Sequence, residues 1–355
     1  MNRHALPEFR GAASALDLLS DELGLRQTIT AAEVQPRPVV WLWQGRIPAG
    51  KLSILDGDAG LGKTSIALDL AARVSSGRAM PLVEAAASGP RAVLYLSAED
   101  DAGDTLRPRL EAAGADLAHV HIWAESALPI FPADADAVGD IVAAFNIALV
   151  VIDPAVAFFA ASTDTHRDAS VRQTLAPLRR VSESTGCATL LIRHLNKKEV
   201  TANALYRGAG SVAFIAAVRS GLLVAPDPDH PARRVLAVSK ANLAARASSI
   251  SYELQQVEVP NAGSSVRIRW IAETRHLAHD LLAPPRRGRS EDSDPCVLWL
   301  RERLGGGVAV AFRNLRDEAE ARGWHERKMR RAAKDLRVSV KREPRAGGGT
   351  LWSLG

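Results

Sequence analysis

Short apolar runs recur along the chain, each closed by a polar residue, with stretches of helical spacing between them. The runs at 52–55, 91–97, 120–123, 147–152 and 189–192 are apolar almost throughout, as strands covered on both faces are. Helices are predicted over 65–74, 104–113 and 169–184, the last with Val171, Leu175, Leu178 and Val181 on one face. The apolar segment from Ser211 to Arg219 suits a helix or a strand, and an arginine inside such a pattern calls for an anionic partner. The runs 222–224 and 235–238 read as strands paired across the turn PDPDHPAR, and 251–257 and 264–271 alternate weakly, as two further strands would. Apolar strands alternating with helices predict an α/β fold with a mostly parallel central sheet.

Both ends of the chain read differently. Residues 1–37 are mixed, with a helix predicted over 12–25, and form a peripheral segment closed by Pro36 and Pro38. Trp41 and Trp43 then alternate as in a strand and read as core or lid packing. The main domain is placed at 38–282, a linker of Pro, Arg, Ser and Asp at 283–294, and a small module at 295–355. In that module helices are predicted over 297–304, 313–321 and 325–336. The third puts Met329, Ala332, Ala333 and Leu336 on one face and Arg327, Arg331 and Lys334 on another. Strands at 338–341 and 349–354 complete a winged helix-turn-helix pattern, although small three-helix modules also serve protein contacts.

Charge sharpens this division. From residue 285 onward there are 17 Lys and Arg against 10 Asp and Glu, whereas the first 284 residues hold 28 against 30. A near-neutral body with a basic end suits contact with an anionic polymer, of which DNA is the expected one. The two cysteines, Cys187 and Cys296, are far apart, so neither a disulfide framework nor a zinc site is expected, and a reducing cytoplasm fits. The longest apolar runs, 148–161 and 208–225, are interrupted by Asp153 and Arg219, so no membrane span is expected.

The chemistry is concentrated at strand ends. Between the run 52–55 and the helix from residue 65 lies GDAGLGKT, a full G-x-x-x-x-G-K-[ST] sequence. Glycines let backbone N–H groups close around a phosphate, and the following helix start adds its free amides and positive dipole end. Gly57, Asp58, Ala59, Gly60, Leu61, Gly62, Lys63, Thr64 and Ser65 are therefore the candidate ATP cradle. Lys63 would reach the β- and γ-phosphates, and Thr64 would ligate Mg2+. Glu99 follows the strand 91–97 and is placed either to polarise the attacking water or, with Asp100 and Asp101, to start and cap the next helix. Asp153 ends the run 147–152, as a second Mg2+ ligand or a helix cap. His194 ends the run 189–192, where a polar side chain can sense the γ-phosphate. The stretch 198–206 is polar and suits a loop facing a pore or a substrate.

GDAGLGKT, Glu99 after LYLS, Asp153 after LVVI, RHLNK, the Arg-Gly-x-Gly-Ser segment ending in Arg219, and VSKAN occur in one order. That order resembles the RepA-type hexameric replicative helicases of the RecA-like superfamily over residues 38–245. The resemblance implies a Mg2+-dependent ATPase working as a ring on single-stranded DNA, in replication of a plasmid, phage or mobile element. It further implies Lys63, Thr64 and Asp153 as phosphate and metal ligands, Glu99 as activator of water and His194 as sensor. Arg219, with Arg207 as second choice, is implied as an arginine finger toward the neighbouring subunit's nucleotide. RepA-type helicases of the plain kind lack a basic module after residue 285, and the pore-facing loop here is short. Two alternatives therefore stand beside the helicase: an ATP-switched DNA-binding regulator and a RecA-like recombination accessory ATPase.

Overall fold

The computed structural model describes residues 30–83, 89–125, 127–195, 211–282, 294–305, 309–336, 338–342 and 349–354. A two-stranded ribbon, β1 (Trp41–Trp43) and β2 (Ile47–Pro48), leads into β3 (Leu52–Gly57), the loop 58–62 and α1 (Lys63–Ser76). Next come β4 (Ala92–Ser97), a wide π-type turn (Ala102–Leu106), α2 (Arg107–Ala112), β5 (Val120–Ile122), α3 (Ala135–Ala144) and β6 (Ile147–Asp153). The chain continues through α4 (Asp168–Thr185), β7 (Ala188–His194), α5 (Ser211–Ala217), β8 (Ser220–Pro226), β9 (Arg234–Ala241), β10 (Ser249–Val259), β11 (Gly263–Thr274) and α6 (Ala278–Leu282).

Nine strands form one sheet in the order β11-β10-β9-β8-β3-β7-β6-β4-β5. From β8 to β5 every pairing is parallel, and β9, β10 and β11 extend the sheet antiparallel. β3 is thus a central strand, and the strand ends carrying the predicted site residues share one edge. Strand parity divides the core. Leu55, Tyr95, Val151, Leu190 and Ile192 pack on the α1 side. Ile54, Leu96, Val150, Ile152 and Leu191 pack on the α3–α4–α5 side. Both faces are covered, which is why these strands read as unbroken apolar runs.

α3, in the segment ADAVGDIVAA, escaped the pattern reading because its small residues and central Gly139 blur the apolar stripe. A Cβ on Gly139 would stand 3.1 Å from Val181, so the glycine serves close packing of α3 on α4. The segment after Ser211 resolves into a helix followed by a strand. Arg219 lies between them, exposed and with no acidic partner among the described residues, contrary to the burial its sequence context suggested. No helix among the described residues is long and apolar enough to cross a membrane. Most of 1–37 and of 283–294 lies outside the described residues.

At the C-terminal end are α7 (Pro295–Leu304), β12 (Val310–Ala311), α8 (Phe312–Glu320), α9 (Glu326–Asp335), β13 (Ser339–Arg342) and β14 (Thr350–Ser353). The strands form their own antiparallel sheet in the order β12-β14-β13. Leu300, Leu304, Leu315, Met329, Ala332 and Trp352 make a separate core, and Arg327, Arg331 and Lys334 of α9 are exposed.

One buried polar contact ties β3 to β7. Arg193 donates from Nε and Nη2 to the two oxygens of Asp56, each at 2.8 Å, with both side chains under a tenth exposed. The guanidinium also lies over the ring of Phe214, 4.8 Å from its centre. Burial pushes the Asp56 carboxyl up against the opposing pull of Arg193 and Lys63. Removing one partner strands the other charge in an apolar layer. Arg193→Ala should therefore lower the unfolding free energy by about 3–5 kcal/mol in a urea titration. Arg180→Ala, on the exposed side of α4, should leave it nearly unchanged.

Candidate active site

The chain leaves β3 at Gly57, where a Cβ would meet the carbonyl oxygen of Val224 on β8 at 2.8 Å. It re-enters regular structure at Gly62, whose φ of +86° is left-handed and which forms the N-cap of α1. The first intrahelical bond runs from the Ile66 amide to the Gly62 carbonyl at 2.9 Å, so the amides of Lys63, Thr64 and Ser65 face outward from the helix start. Lys63 and Thr64 thus stand in the first turn of α1, two residues earlier than the predicted helix start. The Lys63 ammonium is nearly buried and donates to the Asp58 carbonyl at 2.8 Å. Burial lowers its pKa, and Asp153, Asp58, Asp56 and Glu99 oppose that shift.

Asp153 ends β6 in register with Ser97 of β4 and is buried. The Thr64 hydroxyl donates to its Oδ2 at 2.7 Å, and the Tyr95 hydroxyl donates to the same oxygen at 3.1 Å. Burial holds the Asp153 carboxyl above its usual range, the two hydroxyls counteract this, and Glu99 and Asp100 add to it. Tyr95 is buried throughout, and desolvation followed by the Asp153 charge keeps it protonated as a donor. The aspartate is therefore held by two hydrogen bonds in its pocket and is no helix cap.

The three acids after β4 separate into three environments. Asp101 accepts the amides of Gly103 and Asp104 and caps the following turn. Asp100 is half-buried and held by Arg109 at 2.8 Å. Glu99 is exposed, and its charge is felt at both Lys63 and Asp153. His194 pairs in register with Gly57 at the end of β7, and the Leu195 amide donates to the Gly57 carbonyl at 3.1 Å. Lys63, Thr64, Asp153, Glu99 and His194 thus share the carboxyl edge of the parallel strands, where open α/β sheets bind ligands. Arg219 does not join them: its amide donates to the carbonyl of Leu52, at the opposite end of β3. Arg207 lies outside the described residues, as does the stretch 198–206.

Two supports of the loop had no local sequence signal. The Tyr252 hydroxyl on β10 donates to the Leu61 carbonyl at 2.7 Å, and Leu254 packs where a Gly62 side chain would lie. Trp270 on β11 donates to Asp69 of α1 at 2.7 Å, and Asp69 also accepts Arg73 at 2.8 Å. Tyr95 was hidden differently, as one more apolar position in LYLS.

The donor set fits a nucleotide with a divalent cation: outward amides, an ammonium, a hydroxyl and a buried carboxylate converge. Thr64 and Asp153 would hold the cation, which would neutralise phosphate charge. Tyr95 orients the carboxylate, so Tyr95→Phe should preserve the fold while weakening metal-dependent nucleotide binding by about 10–100-fold. Titration of Mg2+ at fixed nucleotide, read by fluorescence of a labelled analogue, measures this. An unchanged Mg2+ midpoint would remove Tyr95 from the site.

Of three comparisons with known proteins, the family model alone bears on this chemistry. No curated protein matches the chain. Among solved structures, the crystal structure of the RadB recombinase is similar at 17% identity and a TM-score of 0.41, over 61% of this chain and 91% of that one. The family model described as AAA domain (AAA_25) matches residues 20–200, just over half of the chain and including the whole Gly57–Thr64 loop. The chain therefore belongs to the AAA domain family, and its nucleotide-type site is that of a P-loop ATPase.

Proposed function

We propose that the protein is a Mg2+-dependent ATPase acting on DNA, a ring-forming RepA-like helicase or translocase of the RecA-like kind. The observation that carries the ATPase reading is the meeting of Thr64 and Asp153 at 2.7 Å beside the glycine loop. Lys63 and the amides of the α1 start would bind and orient the triphosphate, while Glu99 takes the proton from the attacking water. His194, beside Gly57, would register the γ-phosphate. Arg219 would act on the nucleotide of the next copy in a homo-oligomer, six-membered by analogy with the RepA type. The exposed Arg327, Arg331 and Lys334 of α9 support contact with DNA phosphates, α9 serving as the reading helix of a winged module. That same module, with a core of its own, favours a second reading, in which ATP switches a sequence-specific DNA-binding regulator.

The deciding experiment is ATP turnover with and without single-stranded DNA, run beside the mass of the assembly. Helicase or translocase action requires stimulation by single strands, whereas a footprint on one duplex sequence without such stimulation supports the regulator. Lys63→Ala should abolish turnover, and removal of Mg2+ by chelation should do the same. Glu99→Gln should keep nucleotide binding and slow hydrolysis by about 10²–10⁴-fold. Normal turnover in Glu99→Gln would transfer the water-activating role to another group.

A further inference from the structure

A second concave site lies at the amino edge of the sheet, beneath the start of β3. This cavity of about 410 Å3 is lined by Leu52, the α4 residues Arg172, Ala176 and Arg179, and Arg219. No acidic residue among the described ones lines it. Arg172 reaches Asp168 at 2.8 Å, while the side chains of Arg179 and Arg219 have no hydrogen-bond or ion-pair partner among the described residues. Arg172 and Arg179 are seven positions apart on α4, so they rise from one helix face. Lys240 stands behind them, with Nζ donating to the carbonyls of Ile215 at 2.5 Å and Ala216 at 3.4 Å. It thereby closes the C-terminal end of α5, two residues before Arg219. Burial lowers the Lys240 pKa, and the positive charges of Arg219 and Arg172 lower it further. These cations crowd one another, and Asp168 is the one counter-charge that reaches them among the described residues.

We propose that this cavity is a phosphate socket, in which Arg172 and Arg179 join Arg219 in receiving the terminal phosphates of the nucleotide held on the P-loop of a second copy. The inference rests on the head-to-tail assembly proposed above and adds to it the two α4 arginines. Position argues for a partner copy. The socket meets β3 at Leu52 and the P-loop leaves β3 at Gly57, a separation of about 17 Å along a strand rising ~3.3 Å per residue. One copy therefore presents its anion-holding loop at one pole and, at the other, a cluster of guanidiniums of which Arg179 and Arg219 have no partner among the described residues. Two such unlike surfaces meet in a heterologous contact, which repeats from copy to copy. Chemistry argues for phosphate, since guanidinium forks bind its oxygens with paired, charge-assisted hydrogen bonds.

The test is complementation. Full-length Arg172→Ala/Arg179→Ala and Lys63→Ala proteins are assayed for Mg2+-ATP turnover separately and mixed, with Arg180→Ala as a neighbouring control. The double variant should bind a fluorescent ATP analogue normally and turn over about 10–100-fold more slowly per arginine lost, while Arg180→Ala matches the parent. Mixing should raise turnover well above the sum of the separate rates, because each Lys63→Ala copy offers an intact socket to an intact P-loop. If mixed assemblies form by mass and turnover stays at the sum, the socket is refuted while the assembly stands. If the parent remains a single chain with Mg2+ and ATP at all concentrations, the head-to-tail reading fails and takes the socket with it. A third arm uses inorganic tripolyphosphate on the Lys63→Ala protein. A thermal upshift abolished by adding Arg172→Ala and Arg179→Ala, without complementation, assigns the cavity to a free polyphosphate and overturns the proposal.

Discussion

The hydrogen bond from Thr64 to Asp153 joins a helix start to a strand end 89 residues away and fixes the geometry of the site. A carboxylate buried in a layer of strand ends is unfavourable by itself, because desolvation penalises its charge. Here two hydroxyls, from Thr64 and Tyr95, converge on one of its oxygens. The nearby Lys63 ammonium supplies the opposite charge. The site is thus a set of groups that tolerate burial only in one another's company. Parallel pairing of β3, β7, β6 and β4 brings them to one height, since each strand delivers its polar residue as it emerges from the core.

The Asp56–Arg193 pair lies in the same layer, one residue before Gly57 on β3 and one before His194 on β7. An ion pair there is a poor stabiliser compared with apolar packing. Its two parallel hydrogen bonds are directional, however, and they align the strand ends that carry the loop and the histidine. Phe214, stacked on Phe159, lies against the Arg193 guanidinium from the α5 side.

Much of this was legible in the sequence because local physics dictated it. The glycine loop, the apolar run ending in Asp153 and the run ending in His194 each declare a strand, a turn and a polar tip. The hairpin at 251–257 and 264–271 was visible too, although β10 and β11 extend further at both ends. What stayed hidden depends on contacts distant in sequence. Tyr95 reads as apolar until Asp153 is placed opposite it, and Asp56 and Arg193 meet across 137 positions. Tyr252 touches the loop from 191 positions away. Arg219 misled for the converse reason: its apolar neighbours belong to α5 and β8, and the residue itself sits in the bend between them.

The antiparallel extension of the sheet carries one more consequence. β10 and β11 clasp the loop and its helix from outside through Tyr252, Leu254 and Trp270. The region matched by the family model ends at residue 200, well before any of these three. A shortened protein cut at that limit would retain every residue of the phosphate-binding sequence yet lose the buttress that keeps Leu61 and α1 in place. A fragment of this chain that keeps all three of these contacts to the loop and α1 must therefore reach past Trp270.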